Sequence, residues 1–537
     1  MKQNQNGKSL EVSTQQVEGL IKLYQDGHFE EAQGLAIELT TKFPTHQLSW
    51  KLLAILFRQS GKIIDALNAS QKAVALSPND YEAINTMGNS LNDLSRYDTA
   101  EAAFRRSLKV KPDFGSTHYN LANLLYSRGS LHEAEEAYKR ALELEPNRAM
   151  FHNSLGNLFH ESGKFDDAEA SYKKALNLQP NYADVYYNLG ILLKDMGKIK
   201  EAVASYNQAV SINPNFVEAF SNMGNALREL GELEKAKEAF DRAITLKPDY
   251  TDGLLSRWQL LFDKGEFDAA LCDADACNTK ISRAHGLVTL YALGKIEEIY
   301  KRIQMQSEVD AYNIRVSSFS SFLSKTEGRD TAHTFCPNPM SMLYFTNISK
   351  HSKIKQSFIQ ELINELGAVQ TSWEPKKRTT RKGFQTVENI NLFEESSPKV
   401  SELKQIIIDE LNFYHSKFKN EACSYIQKWP SQKNIVGWHV VLKQQGYQGA
   451  HIHPSGWLSG VIYLKVVPAL GKDEGAIEFS LNGTHFSHVK APKLIFEPKD
   501  GDIVFFPSSL HHRTIPFTTD ADRIIISFDL MPEVKET

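Results

Sequence analysis

In GAHIHPSGWLSGVIYL (449–464) two histidines, His451 and His453, stand one residue apart, with a proline directly behind them and a strand-like apolar run after. A second pair, His511 and His512, closes FPSSLHH (506–512), and Arg523 opens RIIISFDLM (523–531). Imidazole is the commonest protein ligand of transition metals, and three protein ligands on one face of an ion leave positions open for small molecules. A guanidinium can grip a carboxylate through two parallel hydrogen bonds. Strand alternation puts Arg523, Ile525 and Ser527 on one face, and Ser459 and Tyr463 of SGVIY on one face. A metal centre beside an anion anchor is one reading of these residues. Histidines at a polar sheet edge and a surface strand arginine are the other, and for any one histidine alone it would be the better one.

Elements able to carry these residues surround them. NIVGWHVVLK (434–443), SGVIYLKVV (459–467), AIEFSL (476–481), DIVFFP (502–507) and RIIISFDLM read as strands, being β-branched and aromatic runs bounded by Gly, Pro or Asp. Two helical patterns precede them, KIKQSFIQELINELG (353–367) and SELKQIIIDELNFYHSKF (401–418), as if packed on one face of a sheet. Between the helices, PKKRTTRK (375–382) is a short basic run that reads as a solvated loop rather than a nucleic-acid contact. Trp438, His439 and Trp457 either line a substrate side or serve as packing.

The N-terminal half is built differently. Proline falls at Pro44, Pro78, Pro112, Pro146, Pro180, Pro214 and Pro248, a constant step of 34 residues. Small residues keep the same step (Gly88, Ala122, Gly156, Gly190, Gly224, and Gly61, Ser95, Gly129, Gly163, Gly197, Gly231), as does alanine from Ala66 to Ala236. From Ala100 on, each of these alanines is followed by an aromatic: Phe104, Tyr138, Tyr172, Tyr206 and Phe240. Small residues let helices approach, the aromatics fill the space between hairpins, and proline ends each unit. Asparagine recurs beside the small position at Asn89, Asn120, Asn123, Asn157, Asn188, Asn222 and Asn225. It is a mediocre helix former, so its repetition calls for a reason. Either the amides form a ladder along a groove, able to donate to and accept from a bound peptide backbone, or they are a harmless inheritance of duplicated units.

At 537 residues the chain exceeds a single core, so two or more domains are expected. A formal net charge of −4 gives no global basic field, which makes nucleic acid an unlikely partner. Four scattered cysteines without a CxxC pair indicate neither a disulfide framework nor a cysteine zinc site. MKQNQNGKSLEV lacks the apolar core of a signal peptide, and no apolar run is long enough to span a bilayer. A cytoplasmic protein without a membrane partner is the expectation.

The 34-residue pattern resembles the tetratricopeptide repeat family. That resemblance implies an all-α solenoid over about residues 14–282, seven repeats plus a degenerate one, followed by capping helices and a connector over 283–334. The asparagines resemble the superhelical groove of the O-linked N-acetylglucosamine transferases, which implies a protein or peptide partner held there. The paired segments HIHPSGWLSGVIYL and FPSSLHH resemble the 2-oxoglutarate and iron(II)-dependent oxygenases, in particular the family with HxHP, LSGVYYL and FPSWLxH. This second resemblance covers roughly 335–535 and implies a mainly β double-stranded β-helix, or jelly roll, with flanking helices. Carried over residue by residue, it implies that His451 and His512 hold iron(II), with His511 a neighbour, and that His453 stands where an Asp or Glu ligand is usual. Arg523 then holds the far carboxylate of 2-oxoglutarate, and Tyr463, Ser459 and Ser527 contact the same cosubstrate. Dioxygen is the third reactant, and the expected activity is that of a dioxygenase, specifically a hydroxylase. Two other readings stay open: a non-catalytic repeat scaffold with a metal- or ligand-binding barrel, and a cupin-type three-histidine dioxygenase needing no 2-oxoglutarate.

Overall fold

The computed structural model describes residues 12–351, 357–375, 378–387, 390–394, 397–486 and 490–533, so that Lys376 and Lys377 of the basic run lie outside the described residues. It divides into two compact units, one ending at Pro248 and one beginning at Asp249.

The first unit is a succession of helical hairpins: α1 (Thr14–Gln25) with α2 (Phe29–Lys42), α3 (Gln47–Gln59) with α4 (Ile63–Leu76), α5 (Tyr81–Asp93) with α6 (Tyr97–Val110), α7 (Gly115–Ser127) with α8 (Leu131–Leu144), α9 (Ala149–Glu161) with α10 (Phe165–Leu178), α11 (Ala183–Asp195) with α12 (Ile199–Ile212), and α13 (Val217–Glu229) with α14 (Leu233–Leu246). The turn inside a hairpin needs left-handed backbone, which Gly129, Gly163, Gly197 and Gly231 supply at φ 72° to 78° and Ser95 supplies at φ 59°. The second small position is set by contact. A Cβ on Gly190 would lie 2.5 Å from the Tyr206 ring, and Gly88, Gly156 and Gly224 meet Phe104, Tyr172 and Phe240 in the same way. The aromatic therefore fills the space within a hairpin, not between hairpins as the pattern alone suggested.

The second unit begins with α15 (Thr251–Asp263), α16 (Phe267–Cys277), α17 (Lys280–Ala292), α18 (Ile296–Met305) and α19 (Ile314–Glu327). These are followed by β1 (Tyr344–Asn347), α20 (Phe358–Leu366), β2 (Thr371–Trp373), β3 (Thr380–Thr386), α21 (Pro398–Phe418), α22 (Ser424–Gln427), β4 (Ile435–Gln448), β5 (Leu458–Lys465), β6 (Ile477–Ser480), β7 (Lys493–Phe496), β8 (Asp502–Pro507), β9 (His511–Thr514) and β10 (Arg523–Leu530). The strands form an antiparallel seven-stranded sheet, β1-β8-β5-β10-β4-β3-β2, and an antiparallel three-stranded sheet, β7-β6-β9. This is the two-sheet jelly-roll arrangement.

Alternation sorts the two faces of the large sheet. Ile526, Phe528 and Leu530 of β10, with Leu458, Ile462 and Leu464 of β5, pack under α20 and α21. Ile525, Val461, Tyr463, Val440 and Phe506 point the other way, into a core shared with Ile477 and Phe479 of the small sheet. The same core takes in Leu287 of α17 and Phe319 and Phe322 of α19, and Phe322 lies 4.1 Å from the Phe486 ring. The helices after Pro248 thus complete the core of the β unit, which explains why the compact division precedes the degenerate repeat. Part of the basic run, Thr380–Lys382, belongs to β3 rather than a loop. Among the described residues no helix is long and apolar enough to cross a membrane.

Candidate metal centre

His451 lies just beyond β4, where its N–H and C=O exchange hydrogen bonds with the backbone of His512, both 3.1 Å. His453, two residues on, donates its backbone N–H to Ser508 O (3.0 Å). His512 sits in β9 opposite Phe479 of β6, so the three imidazoles meet at one end of the space between the sheets. One nitrogen from each lies within 4.8 Å of the others. His511, its neighbour on a four-residue strand, faces away and shares a hydrogen bond with Ser318 of α19 (3.1 Å).

The tautomers follow from the partners. His451 Nδ1 lies 2.7 Å from Gly449 O, His512 Nδ1 lies 3.2 Å from Leu510 O, and His453 Nδ1 lies 2.6 Å from Asp529 Oδ1. Carbonyl and carboxylate oxygens only accept, so each Nδ1 carries a proton, and in a neutral ring Nε2 is then the nitrogen free to bind a metal. His451 Nε2 and His453 Nε2 face each other at 3.2 Å. Two bare lone pairs at that distance repel, and a proton or a metal ion between them relieves the repulsion. The separation suits two ligand atoms of one ion whose metal–nitrogen bonds are about 2.1 Å. Burial holds His451 down to about 3 and His512 well below the usual histidine range, and the neighbouring histidines add to both effects. Those two rings are therefore neutral at pH 7, as ligation requires. The donor set fits a divalent transition metal.

Arg523 is only 1% exposed, and its Nε and Nη1 find no hydrogen-bond partner among the described residues. Its guanidinium lies 5.2 Å from the ring centre of Tyr463, whose buried hydroxyl interacts with that guanidinium but makes no well-aligned hydrogen bond among the described residues. Burial lowers the Arg523 pKa, with Tyr463 opposing, and raises that of Tyr463 to about 12. A buried cation with idle donors beside a buried phenol fits the carboxylate of a small ligand. Ser527 is buried on the same face of β10. The Ser459 hydroxyl donates to Asp529 Oδ1 (2.7 Å) and lies 2.8 Å from Ser508 Oγ. Its hydroxyl thus takes part in the support of Asp529, the partner of His453.

A cavity of ≈ 370 Å³ opens beside His451 and His453, lined also by Trp438, Gln385, Gln448 and Arg378, while Arg523 and Tyr463 lie outside its lining. Trp438 is therefore on an accessible side of the centre. His439 points to the opposite face, bonded to Thr386 Oγ1 (3.0 Å) and held near 4 by burial, and Trp457 packs beneath the helices with its Nε1 donating to Tyr425 O. Sequence reasoning missed Asp529, although RIIISFD places it on the Arg523 face by simple alternation.

The repeat asparagines are all half-buried, and several are engaged. Asn120 Nδ2 donates to Asn85 Oδ1, Asn188 Nδ2 to Asn153 Oδ1 and Asn222 Nδ2 to Tyr187 Oη, each tying one hairpin to its neighbour. Asn123 and Asn157 accept from the hydroxyls of Tyr138 and Tyr172. Asn89 and Asn225 occupy the equivalent positions opposite Phe104 and Phe240, which have no hydroxyl to offer. Five of the seven amides thus have structural partners that the sequence did not reveal.

Comparison with known proteins agrees with both halves. Residues 437–529 match the family model described as "Putative 2OG-Fe(II) oxygenase". Tetratricopeptide repeat models match residues 85–149, 137–170, 156–197, 183–216 and 217–250. No curated protein matches the chain. Similar solved structures include "Crystal structure of MamA" (26% identity, TM-score 0.29, covering 30% of this chain and 95% of that one). Another is "Crystal structure of YrrB: a TPR protein with an unusual peptide-binding site" (22%, 0.31, 35% and 97%). A third is "Crystal structure of APC/C hetero-tetramer Cut9-Hcn1" (16%, 0.40, 49% and 52%). The family of the second half implies iron(II) and 2-oxoglutarate. The chain joins a tetratricopeptide repeat solenoid to a C-terminal domain of the family described as "Putative 2OG-Fe(II) oxygenase".

Proposed function

We propose that the chain is an iron(II) and 2-oxoglutarate-dependent hydroxylase whose repeats hold a protein or peptide substrate or partner. The observation that carries this reading is the pairing, in one barrel, of three converging imidazoles with a buried guanidinium that has idle donors. His451, His453 and His512 would hold iron(II). Arg523 and Tyr463 would receive the distal carboxylate of 2-oxoglutarate. With dioxygen, the bound metal and cosubstrate supply the oxidising power for hydroxylation. The chain's own residues fix the imidazole tautomers, exclude water from around Arg523 and leave the Trp438 side open for a substrate group. The repeats belong to a family that stacks helix pairs into binding surfaces, which supports a macromolecular partner. The all-histidine donor set favours one alternative, a cupin-type dioxygenase. Calorimetric titration of 2-oxoglutarate into anaerobic, iron(II)-loaded protein separates the two. One saturable site, lost in Arg523→Ala with iron retained, is expected, whereas no binding by the wild-type protein would overturn the proposal in favour of the cupin or scaffold reading.

A further inference from the structure

We propose that Asp529 is a positioning residue of the metal centre, fixing the His453 ring and supplying, one hydrogen bond behind that ligand, the negative charge that a carboxylate ligand would bring. This rests on the reading that His451, His453 and His512 hold a metal. The three rings differ in what their Nδ1 protons meet: His451 and His512 donate to neutral backbone carbonyls, His453 to a carboxylate. A carboxylate on the far nitrogen makes an imidazole the stronger donor at its metal-facing nitrogen. The carboxylate is itself held. Its Oδ1 also accepts from Ser459, which stands directly opposite it across the β5–β10 ladder and contacts Ser508. Ser459 and Ser508 are fully buried, and His453 and Asp529 are each only 9% exposed. The chain comes close behind them at Gly456, where a Cβ would lie 2.7 Å from Ser508 Oγ and 3.1 Å from Asp529 Cγ. Four side chains and a glycine are thus committed to one hydrogen bond. One strand, β10, carries both this support and Arg523 on the same face.

The test uses the full chain and cobalt(II), whose affinity is read by chelator competition and whose visible absorption reports coordination. Asp529→Asn should weaken cobalt(II) by about 10- to 100-fold with a cooperative melt retained. The decisive comparison is made in the His453→Asp background, where a carboxylate already faces the metal. There Asp529→Asn should leave affinity unchanged or raise it, because two neighbouring carboxylates repel. A purely structural role would give the same loss in both backgrounds and would overturn the proposal. If Asp529→Asn does not fold alone, the double variant against His453→Asp carries the comparison, and a tenfold loss there overturns it. His451→Ala serves as the control. If it binds cobalt(II) like the wild type, the metal-centre reading itself fails, whereas if it loses cobalt(II) while Asp529→Asn binds normally, only the role of Asp529 falls.

Discussion

Arg523→Leu should make the cosubstrate-free protein more stable while removing its response to 2-oxoglutarate. Arg523 is 1% exposed, and among the described residues two of its nitrogens lack partners and its electrostatic relief comes from Tyr463, whose ring centre is 5.2 Å away. Replacing a buried, poorly compensated charge by an apolar side chain of similar reach is worth about 1–4 kcal/mol of stability. In a unit of this size that is roughly 2–10 °C in melting temperature. In the wild type, 2-oxoglutarate at a hundred times its dissociation constant should return about 2.7 kcal/mol, so that saturating ligand closes most of the gap. Differential scanning calorimetry of both proteins, loaded with a redox-inert divalent metal and with or without 2-oxoglutarate, reads all four states. An Arg523→Leu protein that melts below the wild type and still shifts with 2-oxoglutarate would refute the reasoning, because Arg523 would then be a satisfied structural cation.

Three further expectations concern stability. Tyr172→Phe loses the bond to Asn157 (2.7 Å) and should cost about 0.5–1.5 kcal/mol by denaturant titration, whereas Tyr206→Phe removes a buried hydroxyl with no partner and should be neutral or stabilising. Substituting Asn120, Asn188 and Asn222 together by Ala removes three ties between hairpins, only partly offset by alanine's helix propensity, and should lower repeat stability by about 1–2 kcal/mol without altering 2-oxoglutarate binding. An unchanged melt would show that those bonds carry no weight. Acid should destabilise the second unit: burial holds His285 and His451 near 3 and His439 and His511 near 4, below their unfolded value. The unfolded chain then binds more protons, so stability falls as pH drops from about 6.5 toward 4, by up to about 1.4 kcal/mol per pH unit per histidine, and holds above that window.

The solenoid was legible because its constraints recur: one glycine facing one aromatic ring, repeated at a fixed step, overdetermines the hairpin. The core strands were legible where they are buried on both faces, as DIVFFP is, matching β8 at Asp502–Pro507. Strand β9 was not, since His511 and His512 fill half of its four residues and leave no apolar alternation. Strand β3 was hidden by exposed Arg381 and Lys382 at a register shift, where Lys382 takes φ 49°. His451 and His512 were found through motif spacing, but the tautomer of His453 depends on Asp529, 76 residues away, and no local pattern encodes that contact. The structural partners of Asn120, Asn188 and Asn222 were hidden for the same reason, lying a full repeat distant.

The most direct measurement is succinate formation from 2-oxoglutarate by purified, iron(II)-loaded chain, followed with and without dioxygen alongside a His512→Ala protein. The account predicts oxygen-dependent succinate from the wild type, even uncoupled from any substrate, and none above background from His512→Ala. Equal succinate from both proteins, or none from a wild type that has bound its iron, would contradict it.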